Sequence, residues 1–526
     1  MRSRSGLIER SGLGLCVGYL LFFLLRHEPQ PRAVPGILAI TPGYLAAAEP
    51  FNPFYIANLR LGLSTPLLMG LGLLLVLTLL FLVYFRTLHS VQGQAVQPGQ
   101  LGLIVAGVLL ASVPLLLCPY LLSRDIYSYI IYGRMAALYG ANPAITAPIA
   151  YSQDTYFQYL VTWTDVPSVY GPLWTLLSHA ITLLVEGAGG GLWLYLLAYK
   201  LAMLAAHVAS TLLIWHILPA ERPGYQLAGT LLYAWNPTVL IEFVASAHND
   251  ALMIFLILLA ALWTQRGHWR WAVAALVAAA LIKWIAAVLL PLWALYWLRR
   301  EPTWRGRLLL AAQAAAIGIV VPLVVALPYG EVLRSLSAPL GLQSAMQAEN
   351  SLGALAIRGT QDALAWLGLA SARDPGWRPA AELLVGGVSK GLVLLAWPVA
   401  LYAVWRRPTF ERLLQACCWL LLAILLLSPI FRVWYVTWPL ALAALLDWRP
   451  AGRTAATFAA AAPLMYLQAQ SPAWVDALAL LPAIGLVIYE LWQARLRRRS
   501  GARRPRAEGR LPRAAGDEWS KPPLGG

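Results

Sequence analysis

LLMGLGLLLVLTLLFLVYF, residues Leu67–Phe85, has no charged side chain, and Thr78 and Tyr84 are its only polar ones. An α-helix rises 1.5 Å per residue, so a run of this length approaches the roughly 20 residues that cross a hydrocarbon core. Similar runs recur at Leu101–Leu117, Leu308–Leu327 and Leu413–Leu427. Ten-residue segments of alternating hydrophobicity are absent, which excludes an outer-membrane barrel. The whole chain obeys the same rule. Of its 526 residues 60% are hydrophobic and 12% charged, and the mean hydropathy is +0.65. Soluble domains carry roughly 25% charged residues, and a soluble fold of this composition would expose too much apolar surface. The fold class is therefore an all-α polytopic membrane protein.

The net charge of +16 points to topology rather than to a nucleic-acid partner. From Arg495 onward ten Lys or Arg face three acids. Further basic clusters lie at Arg2, Arg4 and Arg10, at Arg299–Arg307 and at Arg406–Arg412. Basic segments flanking spans mark the cytoplasmic side and attract anionic lipid. The four cysteines (Cys16, Cys118, Cys417, Cys418) lie in apolar runs with no metal-ligand spacing and no disulfide framework. The apolar stretch after Arg10 lacks a small-residue cleavage site before Arg26 and reads as a first span.

These asymmetries predict an order along the chain. Residues 1–122 hold the N-terminal transmembrane helices, with 27–64 outside, and 123–172 form a long outer loop. Residues 173–327 are central helices, 328–380 a second outer loop and 381–494 C-terminal helices. Residues 495–526 form a disordered basic cytoplasmic tail. Both termini read as cytoplasmic and the location as the cell inner (plasma) membrane. About 12–14 transmembrane helices are expected, with interfacial helices in the two outer loops. Two regions resist simple spans. Between Tyr170 and Gln265 four apolar candidates require one short or re-entrant helix. Trp271–Leu298 suits two half-length helices meeting near Lys283, because irregular backbone is tolerated where protein covers it.

The polar residues are few and grouped. Ser123-Arg124-Asp125-Ile126-Tyr127-Ser128-Tyr129 sets an acid beside an arginine at the end of a span, which is costly unless paired or solvated. As a helix from Asp125, it puts Tyr129 and Tyr132 on the face of the acid, and Gly140 and Asn142-Pro143 stop it. A surface ion pair with Asp125 as helix cap is the bland alternative. Tyr170-Gly171-Pro172-Leu173-Trp174 is a rigid, aromatic re-entry to the membrane, equally compatible with plain boundary punctuation. Asn236-Pro237, Glu242 and His248-Asn249-Asp250 crowd polar side chains between apolar runs, where they need partners or water. A helix cap by Asn249 or Asp250 explains only part of that group. Lys283 is a cation in an apolar stretch, facing a cavity or snorkelling. In Ser428-Pro429-Ile430-Phe431-Arg432-Val433-Trp434-Tyr435, Arg432 is placed either to grip a lipid phosphate bidentately or to anchor the interface. Glu349-Asn350-Ser351, ahead of the amphipathic stretch Leu352–Leu369, is a further candidate for an acceptor groove.

This order of segments resembles the GT-C glycosyltransferases, and most of all the polyprenol-phosphomannose-dependent α-1,6-mannosyltransferases of bacterial envelope lipoglycan synthesis. The resemblance covers most of Ser123–Tyr435. Its more specific pair is Arg124-Asp125-Ile126-Tyr127-Ser128-Tyr129 with Tyr170-Gly171-Pro172-Leu173. Related sequences often carry histidine between Ser-Pro and Trp-Tyr, where this chain has Arg432. The resemblance implies a GT-C-like bundle and an inverting transfer with little or no metal dependence. The donor would be a polyprenyl-phosphate sugar, the acceptor a glycan or glycolipid, and the reaction would sit on the non-cytoplasmic face. Asp125 matches the family's outer-loop acid and would act as general base. Arg432, Lys283 and Arg124, then Arg134, would bind the donor phosphate. Tyr129, Tyr132, Tyr170, His248, Asn249, Asp250, Trp434 and Tyr435 would bind substrate. No metal site or obligatory cofactor is implied, with a divalent cation left open. A transporter or flippase of lipid-linked sugars is the rival from another class. Such proteins place their sites near the midplane and often show repeated halves, whereas here the polar residues gather at span ends and no repeat is visible. A pentosyl lipid donor is the rival within the enzyme class.

Overall fold

In a bilayer each backbone N–H and C=O must be satisfied within its own segment, so apolar runs become helices. The computed structural model describes residues 5–26, 65–94, 96–117, 123–160, 162–219, 223–345, 351–368, 378–446, 450–467 and 474–499. Segment 27–64, Glu349-Asn350 and residues 500–526 lie outside the described residues, whereas Arg495–Arg499 of the expected disordered tail continue the last helix, Trp474–Arg499. All regular elements among those described are helical. In order they are α1 (Ser5–Arg26), α2 (Thr65–Val91), α3 (Gln100–Leu117), α4 (Asp125–Leu138), α5 (Pro172–Gly187) and α6 (Leu192–Ile217). There follow α7 (Pro223–Ala234), α8 (Pro237–Leu240), α9 (Asp250–Gln265), α10 (Trp269–Ile282), α11 (Leu290–Arg300) and α12 (Trp304–Ala326). The chain closes with α13 (Val332–Ala345), α14 (Leu352–Trp366), α15 (Arg378–Arg406), α16 (Phe410–Leu427), α17 (Thr437–Ala443), α18 (Pro450–Ala461) and α19 (Trp474–Arg499).

Six described helices are long and apolar enough to cross a bilayer: Leu71–Val91, Gln100–Leu117, Leu192–Ile217, Trp304–Tyr329, Glu382–Arg406 and Phe410–Leu427. A seventh arises if Gly224–Ala234 and Pro237–Ala245, bent by 44° at Asn236-Pro237, are one broken span. Asp250–Gln265, Trp269–Ile282, Val433–Ala443 and Leu478–Glu490 are apolar but shorter. Full-length spans among the described residues are thus fewer than the expected dozen. Several of the shorter helices begin or end where an apolar run carries a charge. The first begins at Asp250, the second ends just before Lys283, and Val433–Ala443 begins just after Arg432. Asp250 and Lys283 satisfy each other at a site covered by protein. The segment expected to hold two half-helices does so. α10 ends at Ile282, Lys283 is extended at φ −148° and ψ 120°, and a tight turn over Trp284–Leu289 leads into α11.

The centre of the bundle is α9, packed on α6, α10 and α17. Ala260, Ala261, Ala272 and Ala279 are fully buried on α9 and α10. Such small residues let helix backbones approach closely where lipid provides no hydrophobic drive. The stretch expected as the first outer loop contains α4, packed on α5, and two single turns at Pro148–Tyr151 and Phe157–Tyr159. The second contains α13 and α14.

Candidate active site

Asp125 is the first residue of α4 rather than its cap. Arg124 holds the cap position without a side-chain hydrogen bond to the helix, and the Asp125 N–H donates to Ser123 Oγ at 3.3 Å. At its far end α4 is stopped by Gly140 at φ +61°, with the Ala141 N–H reaching back to the Met135 carbonyl at 2.9 Å.

The Tyr170-Gly171-Pro172 turn docks against the broken end of α10. The Gly171 N–H donates to the Ile282 carbonyl at 3.2 Å, which satisfies one of the acceptors left open at a helix C-terminus. A Cβ on Gly171 would overlap the Leu281 carbonyl, so only glycine permits this approach. Pro172 starts α5, where its missing N–H costs nothing. Tyr170 is thereby aimed at Asp125, and its hydroxyl donates to Oδ2 at 3.4 Å. Tyr129, one turn along α4, meets the rings of Tyr170 and Trp174 edge-on at 5.2 and 4.9 Å.

His248-Asn249-Asp250 is presented by irregular backbone. After α8 the chain makes a π-helical turn over Ile241–Ala245, a form concentrated at functional sites. Ala247 then takes a left-handed conformation at φ +55° while fully buried, a strain of about 1–3 kcal/mol that packing must sustain. His248 lies between two acids. Its Nε2 is 3.3 Å from Glu242 Oε2 and its Nδ1 is 3.7 Å from Asp125 Oδ2. Its ring stacks on Trp434 at 3.8 Å and 19°. The other oxygen of Glu242 accepts from the Tyr466 hydroxyl at 2.7 Å. Asp125, His248, Glu242 and Tyr466 thus form a continuous row.

Asp250 holds a second group. Both its oxygens accept from Lys283 Nζ at 2.9 Å, and Oδ1 also accepts from Trp438 Nε1 at 2.5 Å. The break at Lys283 frees its side chain to make this pair, and the ammonium also lies 5.0 Å from the centre of the Tyr435 ring. Asn249 is fully buried, and neither of its side-chain atoms finds a hydrogen-bond partner among the described residues. Arg432 stands in extended backbone just before the turn Val433–Val436.

These pieces enclose a cavity of about 890 Å³. Asp125, Tyr132, Tyr170, Lys283, Arg432, Trp434 and Tyr435 line it, joined by residues 162–167 and the end of α16. Tyr129, His248, Asn249 and Asp250 are fully buried and are not among its lining. The Asp125 side chain is 18% exposed, enough to meet a ligand. Burial pushes its carboxyl above the usual aspartate range. Lys283 and Arg432 pull it back, Asp250 pushes it further up, and the Tyr170 hydrogen bond lowers it. A carboxylate so placed can take a proton from a bound hydroxyl, with two cations beside it to receive an anion.

Two arginines expected to bind phosphate are not brought to this cavity. Arg134 is turned away into a buried network, its Nε donating to Asp154 at 2.8 Å and its Nη1 paired with Glu186 and Tyr195. Its charge is already matched, and the network ties α4 to α5 and to residues 148–160. Arg124 is exposed and is not among the lining residues. Tyr466 and Trp438 escaped the sequence reading. Their only signals were a phenol in an apolar run and an indole three residues after Tyr435. Among the described residues no group of three or more His, Cys, Asp or Glu is arranged to hold a metal ion.

Residues 36–299 match the family described as alpha-(1->6)-mannopyranosyltransferase, N-terminal domain. That segment contains Asp125, Tyr170, His248, Asp250 and Lys283, and ends before Arg432. The chain is 28% identical over 347 residues to alpha-(1->6)-mannopyranosyltransferase A of Mycobacterium tuberculosis, covering 63% of each chain. It is 26% identical over 207 residues to the protein of the same name from Corynebacterium glutamicum, covering 38% of this chain and 40% of that one. The similarity therefore spans less than two thirds of these relatives' lengths.

Proposed function

The chain belongs to the alpha-(1->6)-mannopyranosyltransferase family, and from that premise we propose that it is a membrane mannosyltransferase using a polyprenyl-phosphate mannose donor. The observation that carries the reading is the meeting of Asp125, Lys283 and Arg432 in one cavity. The acceptor is a glycan or glycolipid hydroxyl. Asp125 takes its proton as the oxygen attacks the anomeric carbon, the bond from that carbon to phosphate breaks, and the configuration inverts. A well-placed general base contributes about 10²–10⁴-fold. The departing phosphate gains negative charge, which Arg432 and Lys283 stabilise in a site largely shielded from water. Arg432 suits two phosphate oxygens at once because its guanidinium is a planar fork.

The remaining residues position these groups. Tyr170 donates to Asp125 with His248 alongside it at 3.7 Å, and Asp250, itself held by Trp438, holds Lys283. Lys283 is matched by Asp250 in a buried ion pair, and both Lys283 and Arg432 act on Asp125. Basic clusters near span ends support placing both termini in the cytoplasm of an inner-membrane protein, with the cavity opening on the other side.

The test is transfer of radiolabelled mannose from polyprenyl-phosphate mannose to acceptor in membranes, comparing wild type with Asp125→Asn at matched expression. We expect transfer by wild type and a loss of about 10²-fold or more in the variant. Full transfer by the variant would remove Asp125 as the base. No transfer by wild type would sink the mannosyl donor and call for pentosyl donors instead.

A further inference from the structure

The cavity carries one feature that the mechanism above does not use. Residues 162–167 line it, and within them Trp163 takes φ +67°. For a bulky side chain this left-handed backbone is an outlier that must be held by its surroundings. It is held from three sides. The Ile149 N–H donates to the Thr164 carbonyl at 2.7 Å, the Tyr132 hydroxyl to the Val166 carbonyl at 2.8 Å, and the Ser168 N–H to the Pro143 carbonyl at 2.7 Å. The backbone that carries Trp163 is therefore fixed, the half-buried residue lines the cavity wall, and the exposed Asp165 lies two residues on.

We infer that Trp163 and Asp165 form the acceptor-sugar subsite, which takes a neutral hexopyranoside. The chemistry of the pair selects this class. A pyranose has an apolar C–H face that an indole ring covers and a rim of hydroxyls that a carboxylate accepts. The negative charge of Asp165 disfavours a phosphate at this part of the cavity, while Lys283 and Arg432 attract one. Charge thus separates a donor end from an acceptor end within one cavity. Tyr132 joins them mechanically, since it pins the loop and sits on the helix that begins at Asp125. The assignment of ends rests on the function proposed above, whereas binding of a neutral sugar at Trp163 can be measured apart from it.

The experiment is titration calorimetry of octyl α-(1→6)-dimannoside into the purified full chain in detergent, without donor. Wild type is expected to bind, Trp163→Ala to bind about tenfold more weakly, and Trp163→Phe to keep most of the affinity because a ring remains. Asp165→Asn is expected to weaken binding by about threefold, the loss of one charge-assisted hydrogen bond at an exposed position. In transfer assays Trp163→Ala should raise the acceptor KM and leave the donor KM unchanged. No binding by wild type, or equal affinity in Trp163→Ala, overturns the subsite and makes Trp163 an interfacial anchor. Equal rises in both KM values do the same by making the change general. Trp163-dependent binding without mannose transfer sustains the subsite and overturns only the donor reading.

Discussion

At the scale of single residues the question is how Asp125 is ionised when it must accept a proton. Burial opposes the charged form and the neighbouring cations favour it, with Tyr170 adding a hydrogen bond to the carboxylate. An ordinary aspartate titrates near 3.9. With burial the largest influence, the acid limb of kcat/KM should lie above that value. A base works only when ionised, so activity rises as pH climbs through its pKa. Tyr170→Phe removes a bond that favours the ionised form, and the limb should therefore move to higher pH. Well above the limb the two enzymes should converge, because the carboxylate is then ionised in both. A pH–rate profile that does not move would show that the 3.4 Å contact is geometric only. The same residues show what a sequence can and cannot tell. In an apolar chain each charged side chain is itself a signal, which is why Asp125, Asp250, Lys283 and Arg432 could be singled out. The partners of Arg134 and Glu242 could not be. Asp154 and Glu186 lie 20 and 52 residues from Arg134, and Tyr466 lies 224 residues from Glu242. Only the fold brings them together, and a paired arginine looks in sequence like a free one.

At the scale of elements, the site is built where helices fail. α10 stops at Lys283, the chain kinks at Asn236-Pro237, and a π turn followed by left-handed Ala247 carries His248. Each break lies beside a polar side chain: Lys283, Asn236 and His248. The break at Lys283 was legible from the length of its apolar stretch, whereas the π turn and left-handed Ala247 were not, since the runs on both sides remain apolar. Hence the reading of Leu227–Val244 as one candidate segment. The Tyr170-Gly171-Pro172 turn has the opposite character: its motif was legible, but its purpose was not until Gly171 was found against the end of α10. Gly171→Ala would drive a Cβ into the Leu281 carbonyl, which backbone cannot yield cheaply. The start of α5 must then move, carrying Tyr170 away from Asp125. We expect kcat to fall by about 10²-fold, as small misplacements do, and thermal stability to drop by about 1–3 kcal/mol. Measuring both separates the effects. Lost stability with unchanged kcat would mean that the turn braces the bundle without positioning the base.

At the scale of the whole molecule the helices divide by what surrounds them. α9 and α10 are buried on nearly every face, whereas Trp304–Tyr329, with mean hydropathy 2.5, has only 6% of its most apolar stretch covered by protein. α12 packs against α10 and α5 on one side, and Ile319, Val320 and Val324 project from it at 59%, 55% and 56% exposure. A helix this apolar and this uncovered is stable only with lipid against it, because water would meet a continuous hydrocarbon surface. Position therefore matters more than chemistry here. An arginine near the centre of such a span costs about 2.5–3.5 kcal/mol of insertion free energy, whereas the cation Lys283 is tolerated within the bundle because Asp250 meets it. Ile319→Arg should accordingly lower the inserted fraction of this span in a translocation assay with glycosylation reporters on its two flanks. The conservative Ile319→Leu should leave insertion unchanged. If Ile319→Arg inserted as well as the wild-type span and supported full activity, the exposed face of α12 would have to look onto protein or water. The arrangement of a buried core ringed by lipid-facing helices would then fail on that side.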